Sequence, residues 1–519
     1  MLNNVGRASA PVAELRLDTI TCMNPATQHV IGEVSVTSRE AMVRALQQAG
    51  DAQRSWRRLE IGDRVRCLQE AREKLMDHRQ ELLDLISEET GKPRPDAMAE
   101  LLNLFDTMSY YLSNASQMLD DHKLNMHLLR NKRGRVEYSP LGVVLNISPW
   151  NFPLDLAISP AIPALLAGNA VIIKPSQLTP LVALAAANII NDSGLPRGLL
   201  QVLPGYGDLG EELAQRVDGI VFTGTTKNGR TIGRIAGERL IPCILELGSK
   251  DAMVVLNDAD LERSAHGAVW GAFSNAGQSC LSIERAYVQE DVYEDFVARV
   301  STLTRQLRQG DPISPTIDVG AITNPEHIFV LEEHVADAVK RGAKLLTGGK
   351  RVAEVDGHYF EPTVLIDVTD DMLVMREQSF GPILPIMMVR SPAEAIQRVN
   401  DLPYGLGASV WSKNTDVAHE VARQLDVGGV CINDVLVHYL AVEAPFGGNK
   451  SSGLGRRKGL DELRTFTNSK TVIEDILQLK REPFWYPYNQ MIETALDKAL
   501  VMLYRKGITK KVADLFSRH

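Results

Sequence analysis

Cysteine is scarce in this chain, which has five cysteines among 519 residues and no CxxC pair. Thiols this few and this widely separated argue against a disulfide framework and against a zinc site. We therefore expect no metal centre and a reducing compartment, the cytoplasm. Residues 1–17 also lack the continuous apolar core of a secretory signal, in agreement with that localisation.

The chain also lacks a strong positive charge and an uninterrupted apolar run. A net charge of −9 provides no general attraction to nucleic acid, so we expect no nucleic-acid partner. The most apolar window, residues 156–173, is about long enough to span a membrane. Because it contains Pro160, Pro163, Gly168 and Asn169, we interpret it as buried protein.

Apolar periodicity indicates an α/β protein with more than one domain. Residues 38–91 have a helical pattern that ends at Gly91 and Pro93. From residue 142 onward, β-rich runs such as "GVVLNIS" and "GIVFTG" alternate with Ala/Leu-rich helical segments, which is typical of βαβ units on a parallel sheet. Strand-like runs resume past Leu247, and the length exceeds one ordinary core, so we predict a second α/β layer.

Two glycine-rich turns are candidate phosphate-binding segments. A GxGxxG pattern at Gly205, Gly207 and Gly210 follows the strand-like "LLQVLP". A second candidate is "IVFTGTTKNG", in which Gly224 permits a sharp turn and Thr225 precedes a helix, whose N-terminus attracts anions. From the residues alone, either turn is equally compatible with an ordinary βα connection.

Three polar residues in apolar or small-residue surroundings form a candidate catalytic set. Cys280 follows the small polar run "SNAGQS" and is a candidate nucleophile. Glu246 ends an apolar strand, where desolvation raises a carboxyl pKa toward that of a general base. Asn151 lies in the stiff turn "SPWNFPL" and is a candidate oxyanion donor. Separately, a core thiol, a strand-end carboxylate and a satisfied buried amide explain them equally well.

Seven motifs in one order carry a family resemblance: "SPWNFPL", "AGNAVIIKPSQLTP", "VFTGTTKNG", "LELGSKDAMVV", "FSNAGQSC", "FGPILPI" and "PFGGNKSSGLG". From about residue 20 to 480, the chain resembles the NAD(P)-dependent aldehyde dehydrogenase superfamily. Within it, "CINDVLVHYLAVEAPFGG" is similar to the class 3 and fatty-aldehyde branch, whereas "SNAGQSCLSIERAYV" is similar to semialdehyde dehydrogenases. The implied fold is α/β: a Rossmann-type cofactor domain, an α/β catalytic domain and a small β oligomerisation flap.

The resemblance implies a role for each candidate catalytic residue. Cys280 would attack an aldehyde to give a thiohemiacetal and then a thioester, and Asn151 would hold the oxyanion. Glu246 would activate the water that opens the thioester, so that the product is a carboxylic acid. A catalytically silent binding protein with the same fold is the non-enzyme alternative.

The resemblance also implies NAD or NADP as cofactor. The corresponding cofactor-binding positions are Ser148, Trp150, Lys174, Ser176, Gln177, Gly205, Gly224, Thr225, Leu247, Gln378 and Phe380. It favours Thr225 for the pyrophosphate and assigns Gly205 to the adenine side. Gln177 and Gln378 replace the glutamates common in the family, so NADP is admissible, and Ser249 replaces a glycine.

The substrate follows less directly from the resemblance. Positions expected to line the aldehyde tunnel are mostly apolar, which suits an apolar aliphatic or aromatic aldehyde: Asp155, Leu156, Ile158, Ser159, Leu281 and Ile283. The alternative is succinic semialdehyde. Arg285 could meet a substrate carboxylate, although an arginine in a strand is more often a structural partner.

We assign residues 1–121 and 139–248 to the dinucleotide-binding domain and 249–450 to the catalytic domain. Residues 122–138 and 451–481 would form the flap and return segment of a homodimer or homotetramer. Residues 482–519 form an extension whose apolar positions share a helical face before a basic group: Ile492, Leu496, Ala499, Leu500, Leu503, then Arg505, Lys506, Lys510 and Lys511. This pattern is compatible with a membrane-surface helix, and equally with a helix packed on protein.

Overall fold

The structure is a computed structural model that describes residues 18–352, 356–482 and 485–505. Its strands are β1 (Thr19–Met23), β2 (Val30–Ser35), β3 (His122–Leu124), β4 (Lys132–Pro140), β5 (Val143–Ile147), β6 (Ala170–Lys174), β7 (Leu200–Val202), β8 (Gly219–Thr223), β9 (Cys243–Glu246), β10 (Ala252–Val255), β11 (Arg285–Gln289), β12 (Lys344–Thr347), β13 (Thr363–Ile366), β14 (Ile383–Val389), β15 (Gly407–Trp411), β16 (Gly429–Ile432), β17 (Gly453–Leu454) and β18 (Thr467–Asp475).

The helices are α1 (Arg39–Trp56), α2 (Ile61–Asp77), α3 (Arg79–Thr90), α4 (Arg94–Leu119), α5 (Asp155–Ile158), α6 (Ala161–Leu166), α7 (Pro180–Asn191), α8 (Gly207–Ala214), α9 (Thr226–Arg239), α10 (Leu261–Phe273), α11 (Glu290–Arg305), α12 (His327–Lys340), α13 (Leu373–Arg376), α14 (Pro392–Asn400), α15 (Thr415–Gln424), α16 (Gly459–Thr465) and α17 (Gln490–Tyr504). The predicted helical stretch 38–91 forms α1, α2 and α3.

The described residues divide into two compact units. The larger contains residues up to Asp120 together with Tyr138–Asn468, and the smaller contains Asp121–Glu137 together with residues from Ser469 onward. The larger unit holds two mostly parallel sheets, each with its own apolar core.

The first sheet of the larger unit is six-stranded, in the order β17-β9-β8-β5-β6-β7. The neighbouring strands from β9 to β7 run parallel, and only β17 is antiparallel. The chain moves outward from β5 through β6 to β7 and then returns to β8 on the other side of β5. Strand order therefore reverses between β5 and β8, where doubly wound sheets bind ligands beyond their carboxyl ends.

The second sheet is seven-stranded, in the order β12-β13-β14-β11-β10-β15-β16. Its central strands β10 and β11 are buried along their whole length. Such burial is expected for central strands of a parallel sheet that is covered on both faces. The window 156–173 lies in α5, α6 and β6 and is buried in the larger unit, as predicted.

The smaller unit contains β3 and most of β4 and β18, which form a three-stranded sheet in the order β18-β4-β3. Within it, Lys132 bonds the carboxylates of Asp475 and Glu482. The predicted flap and return segment, 451–481, is divided between the units: residues from Ser469 onward lie in the smaller unit, and residues 451–468 lie in the larger unit. There Gly453 and Leu454, which form β17, pair with β9 and complete the edge of the first sheet.

The C-terminal extension forms α17, which begins at the N-cap Asn489 and has no buried residue. Most of its predicted apolar face is exposed: Leu496 is 55% and Leu500 62% exposed, whereas Ile492 and Leu503 are half-buried. Lys506, Lys510 and Lys511 lie outside the described residues. Among the residues that are described, no helix has the length and apolarity needed to cross a membrane.

Candidate active site

The first sheet gathers the predicted cofactor-side residues at one edge. These residues, and the catalytic candidates Asn151 and Glu246, end a parallel strand or follow it within four residues: Asn151 after β5, Lys174 in β6, Gly205 after β7, Gly224 after β8, and Glu246 in β9. Because the carboxyl ends of parallel strands lie at the same edge, residues distant in sequence meet there.

The second sheet supplies the remaining candidates from the amino ends of its strands. Ser249 precedes β10, Cys280 precedes β11 and Phe380 precedes β14. Since Glu246 ends β9 and Ser249 follows three residues later, the chain passes directly from one sheet edge to the other. The candidate site therefore lies between the two sheets of the larger unit.

The loop before Cys280 has an unusual backbone. Asn275 and Ala276 both have left-handed dihedrals, with φ of 50° and 54°. At Gly277, with φ of 71°, a Cβ atom would lie 2.3 Å from the carbonyl oxygen of Gly381. Because no side chain fits that approach, glycine at position 277 is a steric requirement of this loop.

Side-chain hydrogen bonds hold this strained loop in place. Gln278 donates to the carbonyl of Ala321 (3.2 Å) and accepts from the backbone N–H of Thr323 (2.8 Å). The backbone N–H of Asn275 donates to the carboxylate of Asp96 (2.9 Å). Such bonds offset the cost of sparsely populated dihedrals, of order 1–3 kcal/mol per residue.

Cys280 is half-buried and packs against an apolar cluster formed by Leu281, Leu406 and Phe446. Burial of the thiol, together with the nearby Glu246 carboxylate, raises its pKa to about 12. The thiol is therefore protonated at neutral pH, and a nucleophilic role requires removal of its proton.

Ser249 lies directly beside the nucleophile loop. Its hydroxyl donates a hydrogen bond to the backbone carbonyl of Cys280. Ser249 is fully buried, so no water competes for this bond. The serine that replaces a common family glycine thus links the β9–β10 connection to Cys280.

Asn151 is oriented by the same loop. Its side-chain amide donates to the carbonyl of Gln278 (3.0 Å), which also accepts from Asn275 (3.1 Å). An amide nitrogen has two hydrogens, so one remains for an oxyanion next to Cys280. The geometry brings Asn151 and the nucleophile loop together, as the predicted role requires.

A buried ion pair fixes the backbone of the Asn151 segment. Lys92 donates to the carbonyl of Asn151 (2.6 Å) and to Glu100 (3.1 Å), and its ammonium lies 4.2 Å from the ring centre of Phe152. Glu100 also accepts the backbone N–H groups of residues 154 and 155. Sequence reasoning missed this pair, because Lys92 lies in a short polar connection and Glu100 lies within α4, where a single charged residue gives no signal of burial.

Glu246 is buried, and neither carboxylate oxygen has a hydrogen-bond partner among the described residues. Burial raises the pKa of this carboxyl to about 8, an effect that the nearby Arg457 guanidinium reduces. A Cβ added to Gly447 would lie 3.1 Å from one of its oxygens, so the close approach depends on glycine. These properties suit a general base that acts through water.

Residues expected to line the aldehyde tunnel form a buried polar contact. The hydroxyl of Tyr439 donates to Asp155 (2.6 Å), and the Tyr439 ring packs edge-on against Phe446, 4.8 Å between centres. Arg457 donates to Ser159 (2.8 Å). Ile283 instead belongs to the apolar core of the second sheet.

Arg285 is held by the protein itself. Its guanidinium donates to the carbonyls of Lys250 (2.9 Å), Arg398 (3.1 Å) and Val399 (3.2 Å). The side chain is buried, and these contacts leave it no approach to a substrate carboxylate. Arg285 is thus a structural residue. Of the two roles considered from the sequence, binding a substrate carboxylate and serving as a structural partner, its position in a strand favoured the second.

The turn after β8 fits a pyrophosphate. Thr225 is the N-cap of α9 and accepts the N–H of Asn228 (3.3 Å), while the N–H of Gly224 donates to the Glu246 carbonyl (3.0 Å). Leu247 packs so closely on α9 that a Cβ on Gly229 would lie 2.2 Å from it. The fourteen-residue helix therefore presents its N-terminus at the edge of the sheet, a favourable position for phosphate.

The segment after β6 places the predicted adenosine-side residues together. Lys174 is buried at the strand end, and burial lowers its pKa to about 8. Ser176 is buried and accepts the N–H of Leu178 (3.2 Å), whereas Gln177 is exposed. At Gly205, a Cβ would lie 2.5 Å from Leu209, which explains the glycine.

The nicotinamide-side residues meet from the two sheets. Trp150 and Phe380 pack edge to face, 5.4 Å between ring centres. Ser148 and Gln378 have a buried oxygen and nitrogen, respectively, without partners among the described residues. Such unsatisfied polar atoms are expected where a polar ligand completes the hydrogen bonding, so these residues fit a dinucleotide. The fold and this fit are typical of dinucleotide-dependent oxidoreductases.

Comparison with known proteins agrees. The model of the aldehyde dehydrogenase family matches residues 12–472. A Mycolicibacterium smegmatis protein, provisionally named an NADP(+) succinate-semialdehyde dehydrogenase, is 38% identical over 441 residues, 85% of each chain. A 4,4'-diapolycopene aldehyde oxidase from Methylomonas sp. is 38% identical over 477 residues, 91% of this chain and 89% of that protein.

Solved structures show the same similarity. An NADP dependent enzyme from E. coli superposes with a TM-score of 0.85 at 31% identity, covering 88% of this chain and 95% of that one. An NAD-dependent aldehyde dehydrogenase from Sinorhizobium meliloti gives 0.86 at 32% identity, covering 90% and 93%. The chain belongs to the aldehyde dehydrogenase family. It is an NAD(P)-dependent enzyme that oxidises aldehydes, and the predicted fold class is confirmed.

Proposed function

We propose that the chain oxidises an apolar aliphatic or aromatic aldehyde to the carboxylic acid, with Cys280 as nucleophile. The Cys280 thiol releases its proton to solvent, its sulfur adds to the carbonyl carbon and forms a C–S bond, and the carbonyl oxygen becomes an oxyanion. Trp150, Gln378 and Phe380 would hold the nicotinamide end of NAD(P)+, which would supply the hydride acceptor, and loss of the hydride would leave a thioester on Cys280. Water then attacks the thioester, the C–S bond breaks, and the acid is released.

Asn151 acts in the first step of this reaction, and Glu246 acts in the last step. The free Nδ2 hydrogen of Asn151 and the backbone N–H of Cys280 stabilise the oxyanion, because donors preorganised in a buried site need no reorganisation. Glu246 removes a proton from the attacking water. With a pKa of about 8, roughly one in ten of these carboxylates is ionised at pH 7.

The apolar surroundings of Cys280 support the apolar substrate. Leu281, Leu406 and Phe446 are buried around the thiol, and Leu436 is half-buried beside them. A lipophilic aldehyde is also consistent with the name of the Methylomonas relative, a 4,4'-diapolycopene aldehyde oxidase. This cluster is the observation on which the substrate proposal rests.

Succinic semialdehyde is the second candidate, favoured by the name of the Mycolicibacterium relative. Its carboxylate needs a cation near the thiol. Arg285 is excluded by its own carbonyl contacts, and Arg457 is a buried guanidinium whose Nη1 has no partner among the described residues. Arg457 is therefore the group that would bind the carboxylate in this alternative.

We further propose that α17 binds a membrane surface. Its exposed apolar face and the aromatic residues before it, Trp485 and Tyr488, suit the headgroup boundary. The enzyme would then be a cytoplasmic homo-oligomer that associates with membranes and takes its aldehyde from them. A homodimer or a homotetramer formed through the three-stranded sheet remains our proposal for the assembly.

One experiment tests the catalytic proposal and the substrate together. Wild-type enzyme and the Cys280→Ala variant are assayed with NAD+ and with NADP+ on aldehydes of graded chain length, benzaldehyde and succinic semialdehyde. We expect kcat/KM to rise with apolar chain length and the variant to be inactive while it still binds cofactor. Turnover by the variant would refute the role of Cys280, and a preference for succinic semialdehyde would select the alternative.

A further inference from the structure

Lys250 and Glu284 form a buried ion pair with a 2.6 Å contact between their side chains. Lys250 lies four residues after Glu246, the proposed base, and Glu284 lies four residues after Cys280, the proposed nucleophile. Both are almost fully buried. Breaking such a pair from one side is costly, whereas an apolar pair of similar size often replaces both residues without loss of stability. The catalytic scheme above assigns these residues no part.

The Glu284 carboxylate holds the backbone of the segment that carries Phe380. One oxygen accepts the N–H of Ser379 (2.9 Å) and the other accepts the N–H of Phe380 (2.9 Å). Phe380 has a φ of 49°, in the left-handed region that costs a bulky residue energy. A carboxylate that receives two successive N–H groups stabilises this conformation.

Further contacts converge on Ser379. Its hydroxyl accepts from Lys250 (3.2 Å) and contacts Nδ1 of His334 (3.0 Å). Burial lowers the pKa of His334 to about 4, so its neutral ring accepts the hydroxyl proton. The carbonyl of Ser379 lies 2.6 Å from Nε2 of His327, and since a carbonyl can only accept, this nitrogen carries the hydrogen.

The geometry points to Lys250 and Glu284 as positioning residues that set the cofactor-facing segment 378–380 against Trp150. This inference rests on the proposed cofactor roles of Gln378 and Phe380. The pair connects that segment to the two chain stretches that hold the base and the nucleophile. Its loss displaces the nicotinamide-side surface and leaves the thiol in place.

The test uses the full-length enzyme with three variants. Glu284→Gln removes the charge and one backbone acceptor, and the double variant K250M/E284L removes the pair without leaving a buried charge. Asp258→Asn is the matched control: this carboxylate also accepts a backbone N–H, that of Asn414 (2.9 Å), at a turn that does not involve segment 378–380.

Three quantities are measured: the Kd of NAD+ and NADP+ from quenching of protein fluorescence, the burst rate of cofactor reduction with decanal, and alkylation of Cys280 by iodoacetamide without cofactor. We expect a rise in Kd and a fall in burst rate of about tenfold each in Glu284→Gln and the double variant, with alkylation within about twofold of wild type. Asp258→Asn should match wild type throughout.

A folded double variant with wild-type Kd and burst rate would overturn the inference. So would an alkylation rate that falls as much as the burst rate, because the pair would then act on the whole site. The catalytic proposal is tested separately, by turnover of the Cys280→Ala variant. Its failure can therefore be distinguished from failure of this inference.

Discussion

The hydroxyl of Ser249 donates a hydrogen bond to the backbone carbonyl of Cys280. The bond joins two chain positions 31 residues apart and fixes the peptide plane next to the sulfur. We expect Ser249→Ala to unfold more easily by about 1 kcal/mol and to reduce kcat several-fold, because the nucleophile loop gains freedom.

Ser282→Ala provides the matched control for Ser249→Ala. Ser282 is buried in the same loop, but its hydroxyl bonds the carbonyls of Gly271 and Ala272. Both variants should lose similar stability in urea unfolding, and only Ser249→Ala should lose kcat. Equal kcat in the two would show that Ser249 has a purely structural role.

The rate of thioester hydrolysis should increase with pH through the Glu246 titration. Burial raises the pKa of this carboxyl to about 8, so the ionised, proton-accepting form increases as pH rises from 7 to 9. The variant Glu246→Gln should show a burst of cofactor reduction followed by slow turnover and no such rise. A variant that turns over at the wild-type rate at pH 9 would contradict the assignment of the base.

Removing the oxyanion donor should slow formation of the reduced cofactor. We expect Asn151→Ala to lower the burst rate about 10²-fold, the typical effect of losing one preorganised donor. Asn191→Ala is the control, since this amide also donates to a carbonyl, that of Leu200 (3.1 Å), away from the thiol. A wild-type burst rate in Asn151→Ala would exclude the role.

Affinity for NADP+ should decrease as pH rises through about 8. Burial lowers the pKa of Lys174 to about 8, so the ammonium that would face a 2′-phosphate is charged below this pH and neutral above it. We expect the Kd of NADP+ to rise between pH 7 and 9, with little change for NAD+. In Lys174→Met, the pH dependence should disappear; its persistence would place the titrating group elsewhere.

Binding to vesicles should depend on the apolar face of α17. In co-sedimentation with phosphatidylcholine–phosphatidylserine vesicles, Leu496→Glu should reduce the bound fraction strongly, because it puts a charge on that face. Thr494→Glu adds the same charge on the polar face and should bind like wild type. Equal sedimentation of the two variants, or no sedimentation of the wild type, would indicate that this helix packs on protein.

The sequence was sufficient for the α/β fold, because apolar runs and helical periodicity are local signals. It also located the strand ends at which Asn151, Gly224 and Glu246 lie. The contacts that organise these residues were not accessible, since they join distant segments: Lys92 reaches Asn151 across 59 residues and Asn151 reaches Gln278 across 127. No periodicity encodes such pairs.

The course of residues 451–468 was not accessible from the sequence. Residues 451–468 contain polar and glycine-rich sequence that is typical of a connection, yet Gly453 and Leu454 complete the edge of the first sheet. A two-residue strand is too short to produce an alternating pattern. The roles of the catalytic and cofactor residues remain predictions that the experiments above address.

The contact between Lys92 and Asn151 also predicts how cleavage of the chain affects the enzyme. The reaction centre is composed of segments near residues 92, 151, 246 and 280, each supported by the others. No fragment that lacks part of residues 92–280 can therefore assemble it. Proteolytic nicks between these segments should leave an active complex only while the pieces stay associated. Separated pieces should be inactive until they are mixed.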